Sequence, residues 1–188
     1  MQKETLAYVI GIAIGDGNLS NPNKRAVRLR VTCDKKYDDT IRNFVDAIQK
    51  VMPLNKVSIQ QRKGNCVDIS CYSNKWEDIL GWKVGYGSKY VQNVSVPLWI
   101  KRNKKYCKNC LKGLFETDGS VYKDRKYLMA NFVTTIPALA SDVSAMIEKL
   151  GFSANTQTFQ FQNKKRKYTI RVSRDVDNFV GFVNIDKS

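Results

Sequence analysis

Histidine is missing from all 188 residues. That excludes every mechanism needing an imidazole, including Ser-His-Asp and Cys-His nucleophiles and histidine-ligated zinc. Catalysis by this chain must use carboxylates, Lys, Tyr, Cys or a metal held by oxygens. Acidic residues are in deficit, with 17 Asp+Glu against 32 Lys+Arg and a formal charge of +15. The five cysteines, an odd number, fit a reducing compartment better than a disulfide framework. Cys107 and Cys110 form a single CxxC, and no second one completes a four-cysteine zinc site. No membrane-length apolar run is present: the stretch 6–15 has ten residues, about half of the roughly 20 a span needs. It has neither a net-positive segment before it nor a small-residue cleavage site after it. The expectation is an intracellular protein without membrane contact, in cytoplasm or organelle matrix.

What is present fits a folded protein. Hydrophobic residues make up 43% and aromatic residues 11%, enough to build a core in one compact domain or two joined halves. A charge of +15 self-repels, and its usual partner is a polyanion such as nucleic acid. Residues 1–103 carry 17 basic and 9 acidic side chains (+8), and residues 104–188 carry 15 and 8 (+7). The excess is shared between the halves, so it is no detachable basic tail.

Shifted on itself by 102 residues, the sequence places Gly11 on Gly113, Asp16 on Asp118 and Gly17 on Gly119. Ile41, Phe44, Val45 and Ile48 then meet Val143, Met146, Ile147 and Leu150. Both sets recur at i, i+3, i+4, i+7, which predicts amphipathic helices near 37–51 and 136–150. Val57 and Ile59 meet Phe159 and Phe161; an extra residue in the basic turn near 163–167 then moves the shift to 103. Beyond it, Val67 and Ile69 meet Ile170 and Val172, while Trp76, Ile79 and Leu80 meet Phe179, Phe182 and Val183. The chain is a tandem pseudo-repeat. Each copy reads αββαββα, with halves 1–87 and 106–188 joined by a linker, 88–105, that contains Pro97 and lacks periodicity. Helices on one face of antiparallel sheets make this an α+β protein.

Val27, Leu29 and Val31 alternate with Arg28, Arg30 and Thr32, the period of a half-buried strand. Val57 and Ile59 alternate with Ser58 and Gln60, leading to Arg62; Val67, Ile69 and Cys71 alternate with Asp68 and Ser70. In the second copy Phe159 and Phe161 stand against Gln160 and Gln162, followed by Lys164 and Arg166. Ile170 and Val172 then stand against Thr169 and Arg171. Arg can fork onto guanine and Gln onto adenine in the major groove, which admits a β-ribbon. Such faces, repeated in both copies of a basic chain, are expected to contact double-stranded DNA.

The segments that open the two copies are VIGIAIGDG (9–17) and LKGLFETDG (111–119). Ala7, Gly11 and Gly15 form a small-residue strip on one predicted helix, and Asn109, Gly113 and Thr117 form one on the other. Such strips let helix backbones pack closely. Gly17 and Gly119 are expected to end the helices in a left-handed conformation. Asp16 and Asp118 then sit at helix C-termini, where the macrodipole disfavours negative charge, and packing the helices brings the two acids together. A divalent cation removes both penalties, and carboxylates with backbone carbonyls suit Mg²⁺.

The second segment closely resembles the LAGLIDADG motif of homing endonucleases, matching at Leu111, Gly113, Leu114, Asp118 and Gly119. The first is a weaker match that keeps Gly11, Asp16 and Gly17. The resemblance implies a monomer whose copies form a pseudo-twofold saddle, with the motif helices packed centrally and antiparallel sheets in the DNA major groove. It implies Asp16 and Asp118 as catalytic metal ligands, joined by backbone oxygens of Gly15 and Thr117. Mg²⁺ is the implied cofactor, with Mn²⁺ or Ca²⁺ able to occupy the same site. The implied reaction is hydrolysis of one phosphodiester on each strand, leaving 3′ overhangs, by an enzyme encoded within an intron. Glu116 matches the acid that often precedes the catalytic Asp by two residues, but Ile14 stands there in the first motif. The family's water-ordering Gln has no counterpart at Thr32-Cys33-Asp34 or Thr134-Thr135, which implies unequal cutting of the strands. Lys63 and Lys165 are the candidates for its supporting basic residue. The rival readings keep the fold without cleavage: an RNA maturase binding intron RNA, or a non-cleaving DNA-binding protein.

Overall fold

The computed structural model describes residues 3–160, 162 and 165–186. Lys3–Ile14 forms α1, followed by β1 (Gly17–Ser20), β2 (Arg28–Asp34), α2 (Asp38–Val51), β3 (Val57–Gln61), β4 (Cys66–Tyr72) and α3 (Trp76–Leu80). A short helix, α4 (Leu98–Lys101), precedes α5 (Lys104–Thr117), which opens the second half. There follow β5 (Gly119–Asp124), β6 (Tyr127–Thr134), α6 (Pro137–Lys149), β7 (Ala154–Phe159), β8 (Lys167–Val172) and α7 (Val176–Val183). Each half holds a four-stranded antiparallel sheet, in the orders β1-β2-β4-β3 and β5-β6-β8-β7. The α+β pseudo-repeat is therefore present, with two copies of αββαββα. Among the described residues no helix is long and apolar enough to cross a membrane.

The amphipathic helices lie on the inner faces of the sheets. Ile41, Phe44, Ala47, Ile48 and Val51 of α2 are buried, as are Leu139, Ala140, Val143, Met146 and Ile147 of α6. The aromatic centres differ between halves: Trp76 fills the first, while Phe115, Phe132 and Phe179 cluster in the second with centroids 5.3–6.0 Å apart. Trp76 on α3 and Phe179 on α7 are both fully buried. Trp76 also donates its indole N–H to the Cys71 carbonyl at 3.0 Å, so its one polar atom is satisfied inside the core.

The first and second motif helices, α1 and α5, pack backbone to backbone. A Cβ built on Gly113 would sit 2.5 Å from the Tyr8 carbonyl oxygen and 2.7 Å from the Ile12 nitrogen. One built on Gly11 would strike the Cys110 carbonyl. Gly17 and Gly119 serve a different purpose from the one expected. Neither has a left-handed φ; they are the first residues of β1 and β5, and a Cβ on either would collide with Ala13 or Phe115 one turn earlier. The chain folds back so closely on the last helical turn that no side chain fits.

Strand pairing corrects the alignment of the copies. Val31 lies opposite Ile69 and Phe132 opposite Ile170, so Ile69 is the counterpart of Ile170, whereas pattern matching pairs it with Val172. The outermost strand of the second sheet moves further. β7 ends at Phe159, and Phe159 lies opposite Lys167 on the outward face, exposed instead of buried. Phe161 lies outside the described residues. The connection between β7 and β8 spans seven residues, 160–166, against four, 62–65, between β3 and β4. An edge strand exposed on both faces needs no apolar alternation, so the polar run Asn155-Thr156-Gln157-Thr158 can pair there.

Candidate functional site

The two outward sheet faces collect the polar strand residues. On the first sheet Arg30 stands between Asn18 of β1 and Ser70 of β4, and Thr32 lies opposite Asp68. Ser58 and Gln60 face Ser70 and Asp68 from β3. Arg28 is held by the Ser20 hydroxyl, to which its Nε donates at 3.2 Å. Asp68 does not stand out on this surface: it is only 7% exposed. It accepts from the Thr32 hydroxyl at 2.7 Å and lies 3.6 Å from Arg62 and 3.9 Å from Arg30. Its physical role is to orient two guanidinium groups, not to meet a ligand as an exposed acid.

On the second sheet Thr169 and Arg171 do share the outward face, opposite Gln157 and Asn155. Gln160 and Gln162 lie past the end of β7, and the exposed Arg166 donates to the Gln160 side-chain oxygen Oε1 at 3.1–3.2 Å. Lys164 is outside the described residues. Asn155 and Gln157 lie on a strand without apolar alternation and Asn131 on one whose register the sequence leaves ambiguous, while Lys167 is the first residue of β8 and extends the Thr169 and Arg171 face by one position. Asn131 is structurally equivalent to Arg30: each lies on the second strand of its sheet, flanked by a first-strand and a third-strand neighbour. Arg30 Nε and Asn131 Oδ1 are also the buried side-chain polar atoms lacking a hydrogen-bond partner among the described residues. Each such atom costs about 1–3 kcal/mol unless something supplies the missing bond.

Asp16 and Asp118 occupy matching places, just beyond α1 and as the C-terminal cap of α5. Both are exposed, between neighbours that are more deeply placed. Gly15 is forced by the partner helix, since a Cβ there would overlap the Thr117 side chain. The Thr117 hydroxyl donates back to the carbonyls of Gly113 (2.8 Å) and Leu114 (3.0 Å), folding its side chain onto the last turn of α5. The end of α1 is reached from outside the helix. Lys89, from the connection between halves, donates to the carbonyls of Ala13 (3.2 Å), Ile14 (2.6 Å) and Gly15. Burial pulls the Lys89 amine down to about 8, against the opposing pull of the Asp118 and Asp16 charges.

A cavity of about 440 Å³ opens beside this region, lined by Gly15, Lys89, Tyr90, Asp118, Thr134, Lys165 and Lys167. Lys165 thus borders Asp118, with its ammonium 4.1 Å from the centre of the Tyr90 ring. Lys63 lies in a separate groove with Gln60, Arg62 and Asp68. Lys89 escaped sequence reasoning because it sits in a segment without periodicity; its one signal was a lone lysine between glycine-rich turn residues and tyrosine. No cluster of three or more His, Cys, Asp or Glu gathers among the described residues. The available donors for a cation are two carboxylates and backbone carbonyls, all hard oxygens. The carbonyl group at the end of α1 already holds one cation, the Lys89 ammonium, so the donor set fits a hard metal ion.

Glu116 points the other way, into the protein. Tyr8 donates its hydroxyl to Glu116 Oε2, the Asp186 amide donates to Oε1 at 3.2 Å, and Lys112 lies 3.4 Å from Oε1. Burial pushes the Glu116 carboxyl up, against the pull of Tyr8, Lys112 and the Asp186 amide. A carboxyl raised in the folded state stabilises most below its unfolded value, and that contribution is lost as pH rises through the folded value. Tyr8→Phe is therefore expected to cost about 1–3 kcal/mol at neutral pH, with the loss shrinking as Glu116 becomes protonated. Urea denaturation across pH measures it.

The fold and the site define an α+β pseudo-repeat whose two acids stand at the ends of its packed motif helices, with an antiparallel sheet in each half. The model of the LAGLIDADG-like domain matches residues 106–184, and that of the WhiA LAGLIDADG-like domain matches residues 5–80. The chain belongs to the LAGLIDADG family, with one such domain in each half. Among solved structures it resembles I-DmoI in complex with DNA and Mn, with a TM-score of 0.71, 18% identity and 99% of both chains covered. The N-terminal LAGLIDADG domain of DUF199/WhiA matches with a TM-score of 0.66 and 12% identity, covering all of this chain and 86% of that one. At these identities the likeness is one of fold. A curated relative, the tRNA-splicing ligase RtcB of Methanopyrus kandleri, is 25% identical over 97% of this chain. The chain spans only 21% of that protein's length.

Proposed function

We propose that the protein is a site-specific double-strand DNA endonuclease that uses divalent metal ions and leaves 3′ overhangs. The observation that carries this reading is the pair of exposed acids, Asp16 and Asp118, at the ends of two helices packed glycine against backbone. Two sheets with Arg-, Gln- and Asn-bearing outward faces flank them. The solved neighbour I-DmoI is described in complexes with DNA and with Mn, Ca or Mg, which supports the same class of cofactor here. Asp16 and Asp118, with the backbone oxygens of Gly15 and Thr117, would hold the ion or ions. A divalent ion so placed polarises the phosphate and lowers the pKa of a water. The sheets position the duplex, the basic surface neutralises phosphates, and Lys165 and Lys167 sit where they can meet backbone charge beside Asp118.

The test is incubation of the protein with a randomised library of DNA duplexes in Mg²⁺, followed by sequencing of cut ends. Recurrent cuts with 3′ overhangs, lost with chelator and in Asp16→Asn, are expected. One observation favours a second reading, a DNA-binding protein that does not cut: Lys89 already satisfies the carbonyls beside Asp16. Sequence-selective binding with no cutting in Mg²⁺ or Mn²⁺ would select it.

Either reading predicts the same role for the two unsatisfied sheet atoms. Arg30 and Asn131 stand at matched points on the two outward faces, and a base reaches the covered Arg30 Nε donor and Asn131 Oδ1 acceptor when the side chains turn outward. Guanine offers acceptors to the first and adenine a donor to the second. Arg30→Met and Asn131→Leu should each relax base preference at one position, in opposite half-sites, by about 1–3 kcal/mol. Binding selections with each variant show whether the change is confined to one position.

A further inference from the structure

We propose that Lys89 is a built-in cation that closes the ion position of the first half, so that a divalent ion enters beside Asp16 only when the lysine leaves. The inference rests on the metal-dependent reading above. Its basis is the contact of one ammonium with three successive carbonyls, those of Ala13, Ile14 and Gly15. A helix end leaves such oxygens without intrahelical partners, and a cation there is favoured by the dipole. The Gly15 oxygen is also the backbone donor next to Asp16. A divalent ion and an ammonium on the same oxygen would lie close enough to repel strongly, so they compete for it.

The second motif helix carries a hydroxyl side chain where the first has Gly15. There the Thr117 hydroxyl takes up the Gly113 and Leu114 carbonyls, and the lysine that borders Asp118, Lys165, stands against the Tyr90 ring. Lys89 also belongs to a tightly turned segment. Gly85 and Gly87, with φ of 84° and 89°, precede it, and Gln92 ties the carbonyls of Lys83 and Gly87 together. The Lys89 ammonium lies 5.8 Å from the centre of the buried Trp82 ring, a second surface on which it can rest when it leaves the carbonyls. A residue that only capped α1 would give stability and nothing more; this one competes with a ligand.

The experiment is titration of the full chain with Mn²⁺, followed by the electron paramagnetic resonance signal of the free ion. Lys89→Met should bind one Mn²⁺ roughly tenfold more tightly than wild type. Adding Asp16→Asn should abolish that gain. Equal or weaker binding by Lys89→Met overturns the proposal while leaving the metal-dependent reading intact. Absence of any binding that depends on Asp16 or Asp118, in wild type and variant alike, overturns both. A measurement on the unaltered protein guards against a misfolded variant: Lys89 should be reductively methylated faster in Mn²⁺ than in chelator, read by peptide mass spectrometry. Equal rates overturn the proposal as well.

Discussion

Gly113→Ala is expected to lower stability by roughly 2–3 kcal/mol, the reverse of what an alanine normally does inside a helix. In isolation the change gains about 1 kcal/mol of helix propensity. Here the added methyl would lie 2.5 Å from the Tyr8 carbonyl oxygen and 2.7 Å from the Ile12 nitrogen. Both are backbone atoms of α1, so no rotamer can relieve the overlap and the helices must separate. Separation opens the seam lined by Tyr8, Ile12 and Leu114, which holds the two halves together. At about 2–4 °C per kcal/mol for a chain of this size, the melting temperature should fall by roughly 4–12 °C. Gly181→Ala is the control. Gly181 lies within α7, has no atom within 4 Å of its Cβ direction and no left-handed φ. Alanine there should raise stability by about 0.5–1 kcal/mol. Calorimetry on the two variants should give shifts of opposite sign; a shared sign would mean that the motif helices are not in backbone contact.

The same glycines explain why the centre of the molecule was legible in the sequence. Gly11, Gly113, Asp16 and Asp118 recur at one fixed shift because helix contact and acid placement each demand one residue type, and little else fits. The buried stripes of α2 and α6 were legible for a related reason: a helix that covers a sheet must repeat at 3.6 residues. The periphery obeys weaker constraints. β7 is exposed on both faces, so nothing apolar marks its register, and Phe159 reads as core while lying on the surface. Asp68 reads as an outward polar residue, and its near-complete burial by Arg30, Arg62 and Thr32 depends on side chains from two separate segments. Lys89 reaches the end of α1 from 74 positions away along the chain, through a segment with no period at all. Contacts made by a single long side chain leave no pattern to find.

Asp118→Asn should abolish double-strand cutting while leaving the fold and the DNA affinity in place. The substitution keeps shape and hydrogen-bonding size at an exposed position, so the packing of the core is left as it is. It also removes a negative charge from the C-terminal end of α5, where the dipole disfavours one, so stability should hold or rise by about 0.3–1 kcal/mol. Affinity should not fall, because the formal charge rises by one from +15 and phosphate attraction rises with it. Chemistry is different. A neutral amide is a poor ligand for a hard divalent ion, and no cluster of further carboxylates stands by to replace it among the described residues. Loss of an outer-shell partner of a metal costs roughly 10–100-fold, so loss of a direct carboxylate ligand should exceed that. The measurement is cleavage of a selected duplex in Mg²⁺ beside filter binding in Ca²⁺. Uncut DNA with wild-type binding is the expected pair of results, and wild-type cutting would remove Asp118 from the chemistry. The same assay on supercoiled DNA separates the halves. If each acid serves its own strand, Asp118→Asn will leave a nick that Asp16→Asn places on the opposite strand; if the acids act on shared ions, neither variant will nick.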